Sequence, residues 1–388
     1  MKELKNHSIA IVVVAYNRHN SLQRLLDSIA NAYIEANTTI IISIDKSDNP
    51  LVEECANNFV WPYGEKRIIA HHENLGLKRH ILGCGIYLDE FDAIVILEDD
   101  LVVAKSFLTY AKQAVQKYYD DEIIAGISLY SFHINPHTDY PFFPSKNQYD
   151  AYFIQYAPSW GQVWMKNQWK DFIQWYEENQ EDVFDLPNLP LNISHWGKKS
   201  WLKYHIKYAI ERSKYFVYPY FAFSSTNSDI GEHANVPYTY FQVVLQEGNV
   251  EDFKFPTLSE SSIRYDSSFE REIVIEGYDD LCVDLNGTKG NRKKQRYWLT
   301  TSPNPFKIVK SYQLRYKPIE ANIVDSNMGD DIFLYDTNEN SKSPKYSYRT
   351  KWYLMDMHFM LLHLKNYGFV NLVKEFCFYL KKKIKLLR

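Results

Sequence analysis

The sequence predicts a doubly wound α/β fold, and three observations carry that prediction. Strand-like apolar runs alternate with helical patterns through residues 8–128, and polar or acidic residues gather where the apolar runs stop. The chain has 388 residues, enough for two or three domains and a core that needs no covalent staples.

Residues 8–15 (SIAIVVVA) form a continuous β-branched run, which at this length reads as a strand buried on both faces. A polar loop follows, Tyr16-Asn17-Arg18-His19-Asn20, and then a helix over 21–32 with Leu22, Leu25, Leu26 and Ile29 on one side. The alternation continues with strand 39–44, helix 51–59, strand 67–71, helix 77–88, strand 93–97, helix 106–118 and strand 123–128. Such an order makes a parallel sheet whose ligands sit beyond the carboxyl ends of the strands. Residues 149–234 are aromatic, with Trp160, Trp164, Trp169, Trp175, Trp196 and Trp201, and read as the second half of the same unit. The expected division is 1–246 for this unit, 247–345 for a mixed, strand-like extension and 346–388 for a helical tail.

Composition narrows the function. The hydrophobic share of 45% and charged share of 24% lie in the globular range. Forty-four Lys and Arg against 48 Asp and Glu give a net charge of −4, so no basic field recruits nucleic acid. The aromatic share of 16% supplies flat surfaces with polar tips, suited to sugars or bases and equally to Tyr-rich packing. Cys55, Cys84, Cys282 and Cys377 are too scattered for a zinc site and fit reduced thiols in the cytoplasm. Neither a signal peptide nor an apolar run of ~18 residues is evident, and three glycosylation sequons are expected to stay unmodified.

The strand ends carry the chemistry. The first leads into Tyr16, Asn17 and Arg18, the second into Asp45, and the run at 93–97 into Glu98, Asp99 and Asp100. Three consecutive acids after an apolar strand repel one another unless a cation sits among them. Oxygen-only donors select a hard ion, Mn2+ or Mg2+, which binds through one or two carboxylates and substrate phosphates. The competing reading is an acidic lead into a helix, favoured by its dipole. Asp45 before Lys46-Ser47-Asp48-Asn49-Pro50 can likewise be a turn former.

This ordered set, an Ala-Tyr-Asn-Arg loop, Ile44-Asp45, Asn74-Leu75-Gly76 and Glu98-Asp99-Asp100, resembles the inverting GT-A glycosyltransferases of family 2. The Glu-Asp-Asp variant followed by Leu101 is similar to N-acetylglucosaminyltransferase I and its relatives. Ser159-Trp160-Gly161-Gln162-Val163-Trp164, Ser200-Trp201, Tyr218-Pro219 and Asn227-Ser228-Asp229-Ile230-Gly231-Glu232-His233 look like bacterial polysaccharide glycosyltransferases. The resemblance covers about residues 8–235 and implies a GT-A fold, a Rossmann-like mixed sheet, here with a C-terminal extension ending in helices.

It also implies roles. Asp100 would bind the metal directly, Glu98 and Asp99 would face the donor, and Asp45 would accept from a pyrimidine N3–H. Tyr16, Asn17, Arg18, Asn74 and either Lys78 or Arg79 would surround the nucleotide diphosphate. Gly161 would lie in the loop that lets an acceptor approach, with an aromatic core turn as the alternative. His233 would complete the metal shell or be structural. An inverting transfer needs a carboxylate as base. In the bacterial relatives an Asp follows Ser-Trp, but here Leu202 stands there. The family's other pattern, an acidic pair about twenty residues after the glycine loop, implies Glu181-Asp182 with Asp185 close behind, a solvated helix end being the alternative, and Glu232 is the further candidate.

The implied activity is transfer of a hexosyl or N-acetylhexosaminyl group from a UDP-linked nucleotide-sugar donor to a glycan or lipid-linked glycan. The tail 369–388 sets Phe369, Val370, Leu372, Val373 and Phe376 among Lys374, Lys381, Lys382, Lys383 and Lys385, the composition of a helix lying on an anionic membrane surface. Packing of that apolar face on the domain is the alternative. Together these expectations put the protein in the cytoplasm, peripheral to the inner face of the plasma membrane. Two rival classes stay open: a nucleotidyltransferase, although residues 16–20 lack the glycines of a phosphate loop, and a non-catalytic glycan-binding protein.

Overall fold

The computed structural model describes residues 6–181, 184, 186, 188–227, 240–260, 263–290 and 295–384. The predicted alternation is present: β1 (Ile9–Ala15), α1 (His19–Ala30), β2 (Ile40–Ile44), α2 (Leu51–Asn58), β3 (Lys66–Ala70), α3 (Leu77–Gly83), β4 (Ala93–Glu98), β5 (Leu101–Val103), α4 (Phe107–Tyr118) and β6 (Ile124–Ser128). β1 is buried along its whole length, and Leu22, Leu25, Leu26 and Ile29 form the buried side of α1. The helix expected over 77–88 breaks at Gly83 into a 3-10 segment, Cys84–Asp89. Glycine weakens helix interiors, and the Trp169 indole occupies the place a Cβ would take at Gly85.

The first unit continues through β7 (Ala151–Ile154), β8 (Gln162–Met165), α5 (Lys166–Glu178), α6 (Leu191–Ser194), α7 (Leu202–Glu211), β9 (Tyr215–Pro219), β10 (Ser224–Thr226) and β11 (Arg264–Tyr265). Nine strands form one sheet in the order β11-β7-β9-β6-β8-β4-β1-β2-β3. β4, β1, β2 and β3 are parallel, while β8 runs antiparallel between β4 and β6. The sheet is therefore mixed, and parallel pairing along the early strands stops at β8. Alternate strand residues feed two cores: Ile11, Val13, Ile42 and Leu97 pack with α1 and α4, whereas Val12, Ile41, Ile94 and Ile96 share the other face with Trp164, Trp169 and Phe172. That two-sided burial explains why the strands read as unbroken apolar runs.

Among the described residues this compact unit extends beyond 246 to Phe269. Phe253 and Phe255 lie with ring centroids 5.3 Å from Tyr110, Tyr118 donates to the Pro256 carbonyl at 2.6 Å, and β11 pairs with β7. Aromatic insertion thus ties 253–269 to the sheet.

The second unit, from Glu270 onward, contains β12 (Leu281–Asp284), β13 (Tyr297–Thr300), β14 (Phe306–Tyr312), α8 (Ala321–Val324) and β15 (Ile332–Asn340). Its four strands are ordered β12-β13-β15-β14 over a core of Leu299, Tyr312, Ile332 and Leu334. The expected helical tail is two helices, α9 (Tyr348–Tyr367) and α10 (Phe369–Ile384), separated by Gly368 at φ +72°. Phe369, Val370, Val373 and Phe376 are exposed rather than packed on the domain.

Candidate active site

The ends of β4, β1 and β2 lie side by side, because Val14 pairs with Glu98 and Ala15 with Ile44. The next residues stay in step: Asp45 donates its N–H to the Ala15 carbonyl at 2.9 Å, and Asp99 donates to Val14 at 3.0 Å. Tyr16, Asp45 and Asp99 consequently leave the sheet as neighbours.

Arg18 closes the acidic end of β4. One guanidinium nitrogen donates to Asp99 and the other to Asp100, the latter at 3.1 Å, while the Tyr16 N–H donates to Asp99 at 3.4 Å. Burial pushes the Asp99 carboxyl up to about 6, opposed by Arg18 and reinforced by Asp100. Burial, then Asp100 and Asp99, raise Glu98 well above the usual carboxylate range. Burial thus favours the protonated forms of Glu98 and Asp99, and the neighbouring acids add to it against the pull of Arg18.

The donor set fits a hard divalent ion. Among the described residues no group of three or more His, Cys, Asp or Glu is placed to hold a metal ion by itself. Two carboxylates on a strand end, in a cluster short of positive charge, instead suit Mn2+ or Mg2+ sharing its shell with water and phosphate. Asp99 is the buried member of the cluster, and Glu98 and Asp100 are partly exposed. The expected fourth participant, His233, lies outside the described residues.

Asp45 is buried, and its carboxylate holds the loop before α3. Oδ1 accepts from the Leu75 N–H at 2.7 Å and from Lys46 at 2.9 Å, and Oδ2 accepts from Gly76 at 2.9 Å. Asn74 donates to the Lys46 carbonyl at 2.9 Å, and Gly76 begins α3 at φ +74°, which favours glycine. The β1 loop is pinned to the same region by Ser47 donating to the Tyr16 carbonyl at 3.0 Å and Asn49 to the Asn17 carbonyl at 2.8 Å. Lys78 and Arg79 are placed differently. The Lys78 ammonium lies 5.0 Å from the Tyr204 ring centroid and 6.0 Å from that of Tyr176, while Arg79 reaches Glu73 at 3.5 Å in solvent.

Gly161 precedes β8, whose Gln162 pairs with Ile96, so it lies beside the acidic end of β4. Its φ of +93° suits glycine, and an added Cβ would meet Ser224 Oγ at 2.7 Å. Trp160 packs against Tyr130 and Phe241 at centroid distances of 4.7 and 5.0 Å. Of the remaining candidates, Asp182, Asp185 and Glu232 lie outside the described residues.

Two contributions escaped the sequence reading. β10 pairs antiparallel with β5, and Asn227 continues the ribbon by donating its N–H to the Asp100 carbonyl at 2.7 Å. The Asn227 strand is therefore built against the acidic cluster. Beneath Asp45, Ser43 Oγ lies 2.7 Å from His80 Nε2 and 3.3 Å from His71 Nε2. Burial lowers His80 to about 4, with Asp45 opposing and His71 adding to the effect. A polar Ser inside the apolar run of β2 was the one sequence signal for this cluster.

Residues 10–159, from β1 to the residue before Trp160, match the sequence model of Glycosyl transferase family 2. This match spans the elements that carry the acidic cluster, Arg18 and Asp45. No curated protein sequence matches the chain. Among solved structures, the chain is similar to S. aureus TarS 1-349 in complex with UDP-GlcNAc, with a TM-score of 0.37, 12% identity, and coverage of 60% of this chain and 61% of that one. It is also similar to GalNAc-T7 with UDP, GalNAc and Mn2+, at TM-score 0.36 and 12% identity, covering 55% and 43%. The mannosyltransferase PcManGT from Pyrobaculum calidifontis, in complex with GDP-Man and Mn2+, aligns at TM-score 0.27 and 19% identity, covering 32% and 35%. The chain thus spans less than two thirds of each of these proteins, and scores below 0.5 support no inference about it.

Proposed function

We propose that this protein is a metal-dependent, inverting glycosyltransferase of the GT-A type, moving a sugar from a UDP-linked donor to a lipid-linked or oligosaccharide acceptor in surface polysaccharide synthesis. The observation that supports it most directly is the acidic cluster of Glu98, Asp99 and Asp100 where β4, β1 and β2 end, with Arg18 bridging Asp99 and Asp100. The family 2 match over residues 10–159 covers the same elements.

In this reading Asp100, with Asp99 behind it, would hold Mn2+ or Mg2+, which when bound would supply Lewis-acid stabilisation of the leaving diphosphate. Arg18 turns its fork from the carboxylates toward phosphate oxygens as the donor enters, since carboxylate and phosphate offer it the same bidentate geometry. The loop fixed by Asp45 and Asn74 walls the nucleotide, and Gly161 keeps backbone rather than side chain beside the reacting sugar. A carboxylate must take the proton from the attacking hydroxyl, and Asp182, Asp185 and Glu232 are the candidates.

A turnover assay over a panel of nucleotide sugars, with and without EDTA, tests the reading. Transfer that is abolished in Asp100→Ala while the fold is retained is the expected result. Undiminished turnover in EDTA, or full activity of that variant, would refute the metal assignment. Sugar binding without turnover for any donor would instead establish a non-catalytic glycan-binding protein.

A further inference from the structure

α9 and α10 present apolar surface that nothing in their own unit covers. Tyr353, Leu354 and Phe359 on α9 are 56%, 67% and 50% exposed, and Phe369 on α10 is 71% exposed. The apolar residues of α9 are spread round its whole circumference, whereas those of α10 lie on one side. Exposed apolar side chains in this number leave a surface that a covering partner or lipid would remove from water.

The start of this hairpin is firmly held. Tyr348 donates its N–H to the Asp331 carbonyl at 3.0 Å, Lys351 Nζ reaches Asp331 Oδ1 at 2.5 Å, and Arg349 donates to the Asn286 carbonyl at 3.2 Å. Gly287 allows this, because an added Cβ there would collide with the Arg349 guanidinium. A secured first turn followed by exposed apolar side chains describes a projecting element, not a frayed end.

We propose that α9 and α10 together lie in the surface of an anionic lipid bilayer. The proposal does not depend on the transferase reading. Charge selects lipid as the occupant: residues 365–388 contain seven Lys or Arg and one Glu, so two copies of the hairpin would repel each other where acidic headgroups attract. Insertion is interfacial, because no helix among the described residues is long and apolar enough to cross a membrane. Sequence alone had confined the membrane segment to 369–388; the exposure of α9 extends it to 353.

Co-sedimentation of the full chain with phosphatidylcholine vesicles, with and without phosphatidylglycerol, tests this. The wild type should pellet with the anionic vesicles. The double variants Leu354→Asp/Phe359→Asp and Phe369→Asp/Phe376→Asp should each bind about tenfold or more weaker, since each removes two apolar side chains from the lipid. All four positions are exposed, so an unchanged circular dichroism melt should accompany the loss. Equal vesicle binding by the α9 double variant and the wild type would overturn the proposal. So would a wild-type dimer in light scattering that the α9 variant dissociates while neither protein binds vesicles.

Discussion

Arg18 donates through Nη1 to the Asp100 carboxylate at 3.1 Å, and its second nitrogen holds Asp99. In the proposed function the same guanidinium, half-buried just before α1, would meet the entering diphosphate. Arg18→Ala should weaken nucleotide-sugar affinity by about tenfold or more, a charge-assisted hydrogen bond contributing roughly 1.5–3 kcal/mol. Arg18→Lys should recover only part of it, because an ammonium lacks the fork. Calorimetric titration with UDP measures both, and unchanged affinity in Arg18→Ala would remove Arg18 from the donor site.

In the proposed function the raised carboxyls of Glu98 and Asp99 would make metal binding depend on pH. A carboxyl raised on folding contributes stability that is complete below its unfolded value, near 4, and lost as pH rises through its folded value, about 6 for Asp99. A divalent ion relieves the repulsion that appears over that interval. The increase in Tm on adding Mn2+ should therefore be small near pH 5 and grow as pH rises through 6. A metal-induced shift that is flat across this range, or absent, would contradict the role given to the cluster.

His205 predicts the opposite acid behaviour. It is fully enclosed, stacked 4.1 Å from the Phe172 centroid and near Phe216 and Trp169, and neither ring nitrogen has a hydrogen-bond partner among the described residues. Burial lowers it to about 3. Its neutral form is favoured in the fold, so its contribution is complete above the unfolded value of about 6.5 and is lost as pH falls toward 3. His205→Phe should raise Tm at neutral pH, since an unsatisfied buried polar group costs about 1–3 kcal/mol, and should flatten the decline below pH 6. A lower Tm with an unchanged acid slope would be the contrary result.

Residues 8–128 were legible because two-sided burial makes each parallel strand an uninterrupted apolar run. The insertion of β8 was not, since four residues pairing antiparallel with β4 and β6 leave no local periodicity. Nor was the β5–β10 ribbon, at three residues a strand, although it carries Asn227 to Asp100. The end of the first unit was hidden for another reason: Phe253 and Phe255 belong to Tyr110, and in a chain with 16% aromatics nothing in composition marks that attachment. Arg18, Asp45 and Asp99 were found together because the carboxyl ends of adjacent strands must be neighbours. The turn of Lys78 toward Tyr176 and Tyr204 could not be read, because side-chain direction on α3 depends on α5 and α7.

Gly161→Ala should be disproportionately harmful for a single methyl. The backbone sits at φ +93° and the new Cβ would lie 2.7 Å from Ser224 Oγ. Loss of about 1–3 kcal/mol in chemical denaturation is expected from strain of this kind. Adding Ser224→Gly removes the shortest contact but leaves Leu129 Cβ at 3.2 Å and the dihedral cost, so stability should return only in part. Full recovery in the double variant would show that backbone conformation is unimportant here.

Asp45 decides between two uses of one carboxylate. Of roughly four acceptor positions, three are taken by the N–H groups of Lys46, Leu75 and Gly76, which leaves one on Oδ2. That remaining position is what a pyrimidine N3–H would need. In Asp45→Asn the amide oxygen can keep Leu75 and Lys46, but the amide nitrogen then confronts the Gly76 N–H, donor against donor. Stability should fall by about 1–3 kcal/mol as that buried donor loses its partner. The fate of ligand binding separates the roles. A carboxylate that reads the base should, on becoming Asn, cost UDP about tenfold or more in affinity relative to GDP. A carboxylate that only anchors residues 74–76 should lower both alike, because the displaced loop does not distinguish bases. Titration of the variant with the two diphosphates measures the ratio, and an equal loss would leave Asp45 as the anchor of the loop and nothing more.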